Sequence, residues 1–280
     1  MRMPRAFSLV SLCSTVALTS LAHGQAIETP APSPHAKVEQ RVGLTDVTVD
    51  YSSPAVKSRK IWGDLVPFDK PWRTGANSAT KLIVSKDFTF GGSAVKAGTY
   101  SLYTVPGKTS WTVFLGSNAD VWGTEVADKD KVVAQTTVKP SALAQPRERM
   151  IFLFSDTSDS GANLDLEWER LRVRIPITVD TKGQMNAQIE KVLGDSWRPY
   201  QTAARYLYDS NGDLERAMIY IDKSIAIQST WSNNWWRSQI LAKRGMKAEA
   251  RAAAQEAQRL GAGDQTYETF YKDQISKAAK

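Results

Sequence analysis

From Lys37 to about Asp180 the apolar residues recur at every second position. Val47, Val49 and Tyr51 alternate with Thr48 and Asp50, the spacing that puts one set of side chains on a single face of a strand. TKLIVS (80–85), DFTF (87–90), TYSLYTV (99–105), SWTVFLG (110–116), KVVAQTTV (131–138) and RMIFLFS (149–155) are short, β-branched and aromatic. Gly91-Gly92, Pro106-Gly107 and Ser160-Gly161 separate them. Short strands divided by turn residues predict a mostly β domain over 37–180, a β-sandwich or jelly-roll-like fold. Leu164, Leu166 and Trp168 share one parity, whereas Leu171, Val173, Ile175 and Ile177 share the other. The phase slips at Glu169-Arg170, which predicts a bulge or sharp bend there.

Beyond that domain the period becomes helical, and 181–280 reads as an all-α tail. Ala204, Leu207 and Tyr208, then Ala217, Ile221, Ser224 and Ile225, fall at three- and four-residue steps. Gly212-Asp213-Leu214-Glu215-Arg216-Ala217 aligns with Gly245-Met246-Lys247-Ala248-Glu249-Ala250, and Trp197 recurs as Trp231. Helix–turn–helix units of about 34 residues are the spacing of tetratricopeptide (TPR-like) repeats. The pattern is degenerate: Arg205 stands where a small residue belongs, and no proline closes either unit. A final helix is expected from Asp264, as N-cap, to Lys277. Two such repeats are too few to stand alone, so the tail is expected to pack on the β domain.

The N-terminal residues have a different character. Arg2 and Arg5 precede the short apolar run Phe7–Ala22, and small residues at Gly24 and Ala26 suit a cleavage site. This is a secretory-signal pattern, so 1–24 is read as a signal peptide and 25–36 as a flexible Pro-rich leader. Cys13, with Leu12 before it, fits a signal-peptide cysteine better than a lipid-anchor site. A periplasmic or secreted location is the expectation, with no integral membrane segment after cleavage. Cys13 is the only cysteine, and His23 and His35 are the only histidines. The mature domain therefore has no thiol nucleophile, and a histidine-based triad or His-rich zinc site is disfavoured. No cofactor or metal is expected. The formal charge of +7 includes Arg2 and Arg5, and the remaining cations alternate with acids, a mixed surface unlike a nucleic-acid footprint.

The run SPHAKVEQRVGLTDVTVDYSSPAVKSRKIWGDLVPFDKPWRTGANSATKL, followed by AGTYSLYTVPG, SWTVF and LEWERLRVRIPI, resembles an exported bacterial family catalogued as domain-of-unknown-function family 2911. The likeness covers about 36 to 179, and the tail stretch GDLERAMIYIDKSIAI also looks like the tail that many members carry. The resemblance implies an exported β-rich domain and brings no established activity, hence no catalytic residues.

Chemistry is densest between Arg59 and Asn77, where Gly63, Pro67, Pro71 and Gly75 break regular structure. Trp62 and Trp72 suit stacking, while Arg73 and Asn77 can donate hydrogen bonds; with Arg59 they make a candidate site for a sugar, a peptide or an anionic small molecule. The alternative is that the tryptophans pin the loop and Asn77 caps a turn. In AGTYSLYTVPG one tyrosine must face the core, and Tyr103 is the candidate to line a concave surface. The Asp156–Asp165 loop is read as a polar turn, and Asp209–Asp213 as an inter-helix turn. Trp231, Trp235 and Trp236 suit packing, or a protein contact through the tail if exposed. The leading expectation is a binding or interaction module. A carboxylate-dependent glycan hydrolase or lyase using Asp46, Asp64 or Asp69, and a purely structural envelope component, are its rivals.

Overall fold

The computed structural model describes residues 29–121 and 131–280. The signal-peptide reading, Cys13 and both cleavage sites lie outside the described residues. Ten strands fill the first part: β1 (His35–Val42), β2 (Thr45–Ser52), β3 (Thr80–Val84), β4 (Phe88–Phe90), β5 (Ser93–Val95), β6 (Gly98–Pro106), β7 (Trp111–Gly116), β8 (Val132–Val138), β9 (Ser141–Ser155) and β10 (Gly161–Val179). They form a six-stranded sheet ordered β1-β2-β3-β6-β7-β8 and a four-stranded sheet ordered β5-β4-β10-β9, with antiparallel pairing throughout. Val47, Val49, Leu82, Leu102, Val113 and Leu115 of the first sheet meet Phe90, Phe152, Leu164, Leu166, Val173, Ile175 and Ile177 of the second in one core. The strand alternation thus translates directly into the two inner faces of a sandwich. β1 starts at His35, inside the stretch read as a flexible leader, and pairs along its whole length with β2.

β10 carries the predicted irregularity. Its register against β9 shifts on both sides of Glu169, which takes a left-handed φ of 54°. The extra residue lets Trp168 and Val173, of opposite sequence parity, both face the core.

Six helices follow: α1 (Thr181–Val192), α2 (Trp197–Asp209), α3 (Leu214–Ile227), α4 (Trp231–Lys243), α5 (Lys247–Gly261) and α6 (Lys272–Ala278), the last preceded by a π-helical turn over Tyr267–Tyr271. Asp213 caps α3 by accepting the N–H groups of Glu215 and Arg216, which makes the Asp209–Asp213 stretch the predicted inter-helix turn. Thr230 and Asn233 form a reciprocal capping box on α4. Asp264 accepts from the Tyr267 N–H at the start of the last helical segment. Arg205, the misfit in the repeat pattern, lies 4.7 Å over the Trp236 ring and pairs with Asp209.

The tail does not dock its apolar face on the sandwich, contrary to expectation. Its buried residues pack among themselves, Ile189 of α1 against α2 to α5 and Ile275 of α6 against Trp235, Ala257 and Tyr267. The end helices supply the neighbours that two helical hairpins lack, so no β surface is needed for them. Trp231 contacts Tyr267 and Tyr271 within this tail. Where α1 leaves the sandwich, Gln184 exchanges hydrogen bonds with Thr45, and Thr181 donates to the Asp159 carbonyl. Among the described residues no helix is long and apolar enough to cross a membrane.

Candidate functional site

The connection between β2 and β3, neighbours in the six-stranded sheet, reaches over to the other sheet and returns. At its start the Met150 N–H donates to the Pro54 carbonyl, and the Val56 N–H to the Glu148 carbonyl, tying it to β9. At its end Trp72 and Thr104 exchange backbone hydrogen bonds at 2.7 and 2.9 Å, so Trp72 takes up the edge of β6 just past the Thr80↔Leu102 pair of β3. Between these anchors the chain turns sharply at Lys57, Ser58, Asp69, Thr74 and Asn77, all with positive φ. Thr74 is the costly one, since a β-branched residue rarely enters this region. It is held there by its own hydroxyl, which bonds Thr104, and by the Thr80 hydroxyl, which donates to its carbonyl at 2.8 Å. Two glycines are dictated by space. A Cβ on Gly75 would meet the Thr80 hydroxyl at 2.9 Å and the Ser52 carbonyl at 3.3 Å. Gly63 combines a φ of 82° with the Phe68 ring, 2.7 Å from where its Cβ would stand.

Four tryptophans fix the connection to both sheets. Trp62 and Trp72 come from the connection, Trp111 from β7 and Trp168 from β10. Trp62 meets Trp72, Trp111 and Trp168 edge-on at centroid distances of 5.9, 4.9 and 5.7 Å, and Trp72 stacks on Trp168 at 5.8 Å. Each such pair adds roughly 0.5–1.5 kcal/mol to the burial of the rings themselves. Their hydrogen bonding is far less complete. The Trp72 indole N–H donates to the Gly75 carbonyl, but those of Trp62, Trp111 and Trp168 are buried with no acceptor among the described residues. The same is true of the Arg73 Nε.

Beside this cluster lies a cavity of about 240 Å³, walled by Trp72, Trp168, Leu65, Val66, Pro67 and Pro71, with Arg59 and Arg73 at its polar side. Arg59 spends two of its N–H groups on the carbonyls of Val56 and Ala55. Arg149, adjacent to the cavity, donates to the Ser53 carbonyl. None of these three arginines has a carboxylate partner among the described residues, and no acid lines the cavity. Arginines elsewhere pair as a rule: Arg41 with Asp46, Arg216 with Glu190, Arg237 with Asp222, Arg244 with Glu215.

The candidate residues therefore separate. Arg59, Trp72 and Arg73 line the cavity; Trp62 stands behind it in the aromatic cluster. Asn77 is exposed and turned away, donating to Ser52 and to the Ser33 carbonyl. Tyr103 lies on the outer face of the six-stranded sheet, fully buried and stacked on Phe114 at 5.5 Å, because its parity opposes that of the core-facing Tyr100. Asp46, Asp64 and Asp69 do not line the cavity, and Asp46 is engaged by Arg41. Trp168 is the wall residue that the sequence did not single out. Its inward parity in LEWERL marked it as core, but its meeting with a loop some hundred positions earlier is a tertiary fact.

The outer face of β10 offers a contrast. Asp165 and Glu167 are 0 and 1% exposed, yet every carboxylate oxygen accepts a hydrogen bond. Arg174 binds Asp165 through Nε and Nη2 at 2.9 and 3.0 Å, and Ser155 adds a third bond at 2.8 Å. Arg147 and Arg172 each grip one oxygen of Glu167. Burial pushes the Glu167 carboxyl up, but the hydrogen bonds from Arg172 and Arg147 outweigh it and hold it below the ordinary glutamate value.

Residues 33–177 match the model of a family described as "Protein of unknown function (DUF2911)". No curated protein and no solved structure matches the chain.

Proposed function

The chain belongs to the DUF2911 family of proteins of unknown function, and from that premise we propose that it is an exported binding module whose ligand occupies the cavity between Trp72, Trp168, Arg59 and Arg73. One observation carries the proposal: Trp168 and Arg73, which both line an open cavity, each hold a buried N–H with no acceptor among the described residues. An unmet buried N–H costs about 1–3 kcal/mol, and a fold keeps that cost most readily where a ligand relieves it. The strained Thr74 and the neighbouring left-handed turns support the same place, since such strain persists where surrounding contacts over-determine it. Export rests on the pattern Arg2, Arg5 and Phe7–Ala22; sequencing the N-terminus of the mature protein should find Gln25 or Ile27 first. The helical tail, with α2 and α4 starting 34 residues apart, is proposed to be a degenerate TPR-like pair that holds a protein partner.

A thermal-shift screen of organic acids, sugars, amides and short peptides tests the site. A ligand that raises the melting temperature of the wild type but not of Arg73→Gln supports it. A full screen without any shift, or shifts that Arg73→Gln leaves intact, would overturn it.

A further inference from the structure

We propose that the ligand is a small organic carboxylate with a flat, apolar body; this rests on the cavity being the binding site. The polar equipment of the cavity is one-sided. A guanidinium and an indole N–H can only donate, and Arg59, Arg73 and Trp168 are all among the residues that line the cavity. The Ser33 hydroxyl is the one side-chain acceptor among the residues that line it. A sugar brings hydroxyls that need acceptors in return, and a peptide brings amide N–H groups; among the side chains of the wall they find only the Ser33 hydroxyl. Arg59 is exposed and Arg73 half-buried, so water can solvate them, but neither has a counter-charge among the described residues. A carboxylate meets both needs, because it accepts along two edges and carries one negative charge.

Arginine geometry favours the same group. The Nε edge of a guanidinium presents parallel N–H bonds that match the two oxygens of a carboxylate. In this molecule Arg174 already grips Asp165 in that way, using Nε and Nη2. The Arg73 Nε edge is the equivalent fork without its acid. The rest of the wall is apolar: Leu65, Val66, Pro67 and Pro71, with the two tryptophans Trp72 and Trp168. Such a lining suits an aryl or branched alkyl body and disfavours a strongly hydrated inorganic oxyanion. At about 240 Å³ the cavity is below the roughly 300–1,000 Å³ of drug-sized sites. The ligand is accordingly small, on the scale of a single ring bearing a short acid arm.

Titration calorimetry on the full chain decides the matter with matched probes: acetate, phenylacetate and indole-3-acetate, each beside its amide, with sulfate as the inorganic anion. The expected result is binding of at least one aryl acid, more than tenfold weaker binding of its amide, and acetate and sulfate weaker still. Arg73→Gln should bring the acid down to the level of the amide without lowering the circular-dichroism melt, and Arg73→Lys should recover part of the loss. Should Trp168→Phe fold, it should weaken the acid severalfold through the missing N–H. Equal affinity for acid and amide would overturn the carboxylate assignment while leaving the cavity as a binding site, as would binding of sulfate alone. Failure of every acid, with a sugar or peptide shifting the melt in an Arg73-dependent way, would also defeat only the ligand class. Failure here together with a blank thermal-shift screen would remove the site itself.

Discussion

The two faces of β10 solve opposite problems within adjacent residues. On the outer face, Asp165 and Glu167 are buried acids with every oxygen engaged by Arg147, Arg172, Arg174 or Ser155. On the inner face, Trp168 ends in a buried N–H with no acceptor, next to the cavity where Arg59 and Arg73 have no acid. The same residue types, arginine above all, are matched on one side and unmatched on the other. A matched network holds the hairpin of β9 and β10 together and has nothing left to offer a ligand. An unmatched set of donors costs stability, and the proposed ligand would offset that cost. The contrast teaches that charge and burial alone do not mark a site, and that a missing partner, which Trp62 and Trp111 also have, counts only together with a cavity beside it.

The largest effect should come from Trp168→Ala, which removes the ring shared by the aromatic cluster and the cavity wall. Loss of a buried tryptophan costs about 3–5 kcal/mol, read as a large fall in the urea midpoint; a change under about 1 kcal/mol would mean that the cluster does not hold the connection. Glu167→Gln should follow, at about 2 kcal/mol. Removing one partner of a buried ion pair costs about 3–5 kcal/mol, and the figure is discounted because Arg147 and Arg172 are 48 and 36% exposed and screened by water.

A smaller effect is the pH dependence of that difference. The folded carboxyl of Glu167 titrates below its unfolded counterpart, so its contribution is complete above an unfolded value of about 4.3 and is lost as pH falls through the folded one. Stability curves of wild type and Glu167→Gln should therefore run apart above that pH and converge on further acidification. Parallel curves throughout would mean that the arginine pairing does not stabilise the folded state.

Much of this organisation was legible in the chain. Period-two alternation marks the inward faces of β2, β3, β6 and β7, because a half-buried strand must alternate. The slip at Glu169 was visible for the same reason, as a parity that changes without a turn residue. The helix starts at Asp213 and Asp264 follow from side chains that can accept backbone N–H groups. β1 was less visible: Lys37, Glu39 and Arg41 alternate with partly buried residues on an edge strand, and weak burial leaves a weak pattern. The independence of the tail was hidden because Ile189 and Ile275 look like ordinary helix residues until their neighbours are known. Arg59, Trp72 and Arg73 stood out by composition. Their separation from Asn77 and Tyr103, and their union with Trp168, depend on which face each residue turns to across two sheets, which no local spacing encodes.

The central claim is that the Arg73 donor beside the cavity is not needed by the fold itself. Urea denaturation of ligand-free Arg73→Gln, run beside Glu167→Gln, tests it most directly. Arg73→Gln should be at least as stable as the wild type, because it removes an unmet buried N–H that costs about 1–3 kcal/mol, while Glu167→Gln falls well below both. A loss at Arg73 as large as that at Glu167 would show that the arginine serves the fold, and would contradict the account.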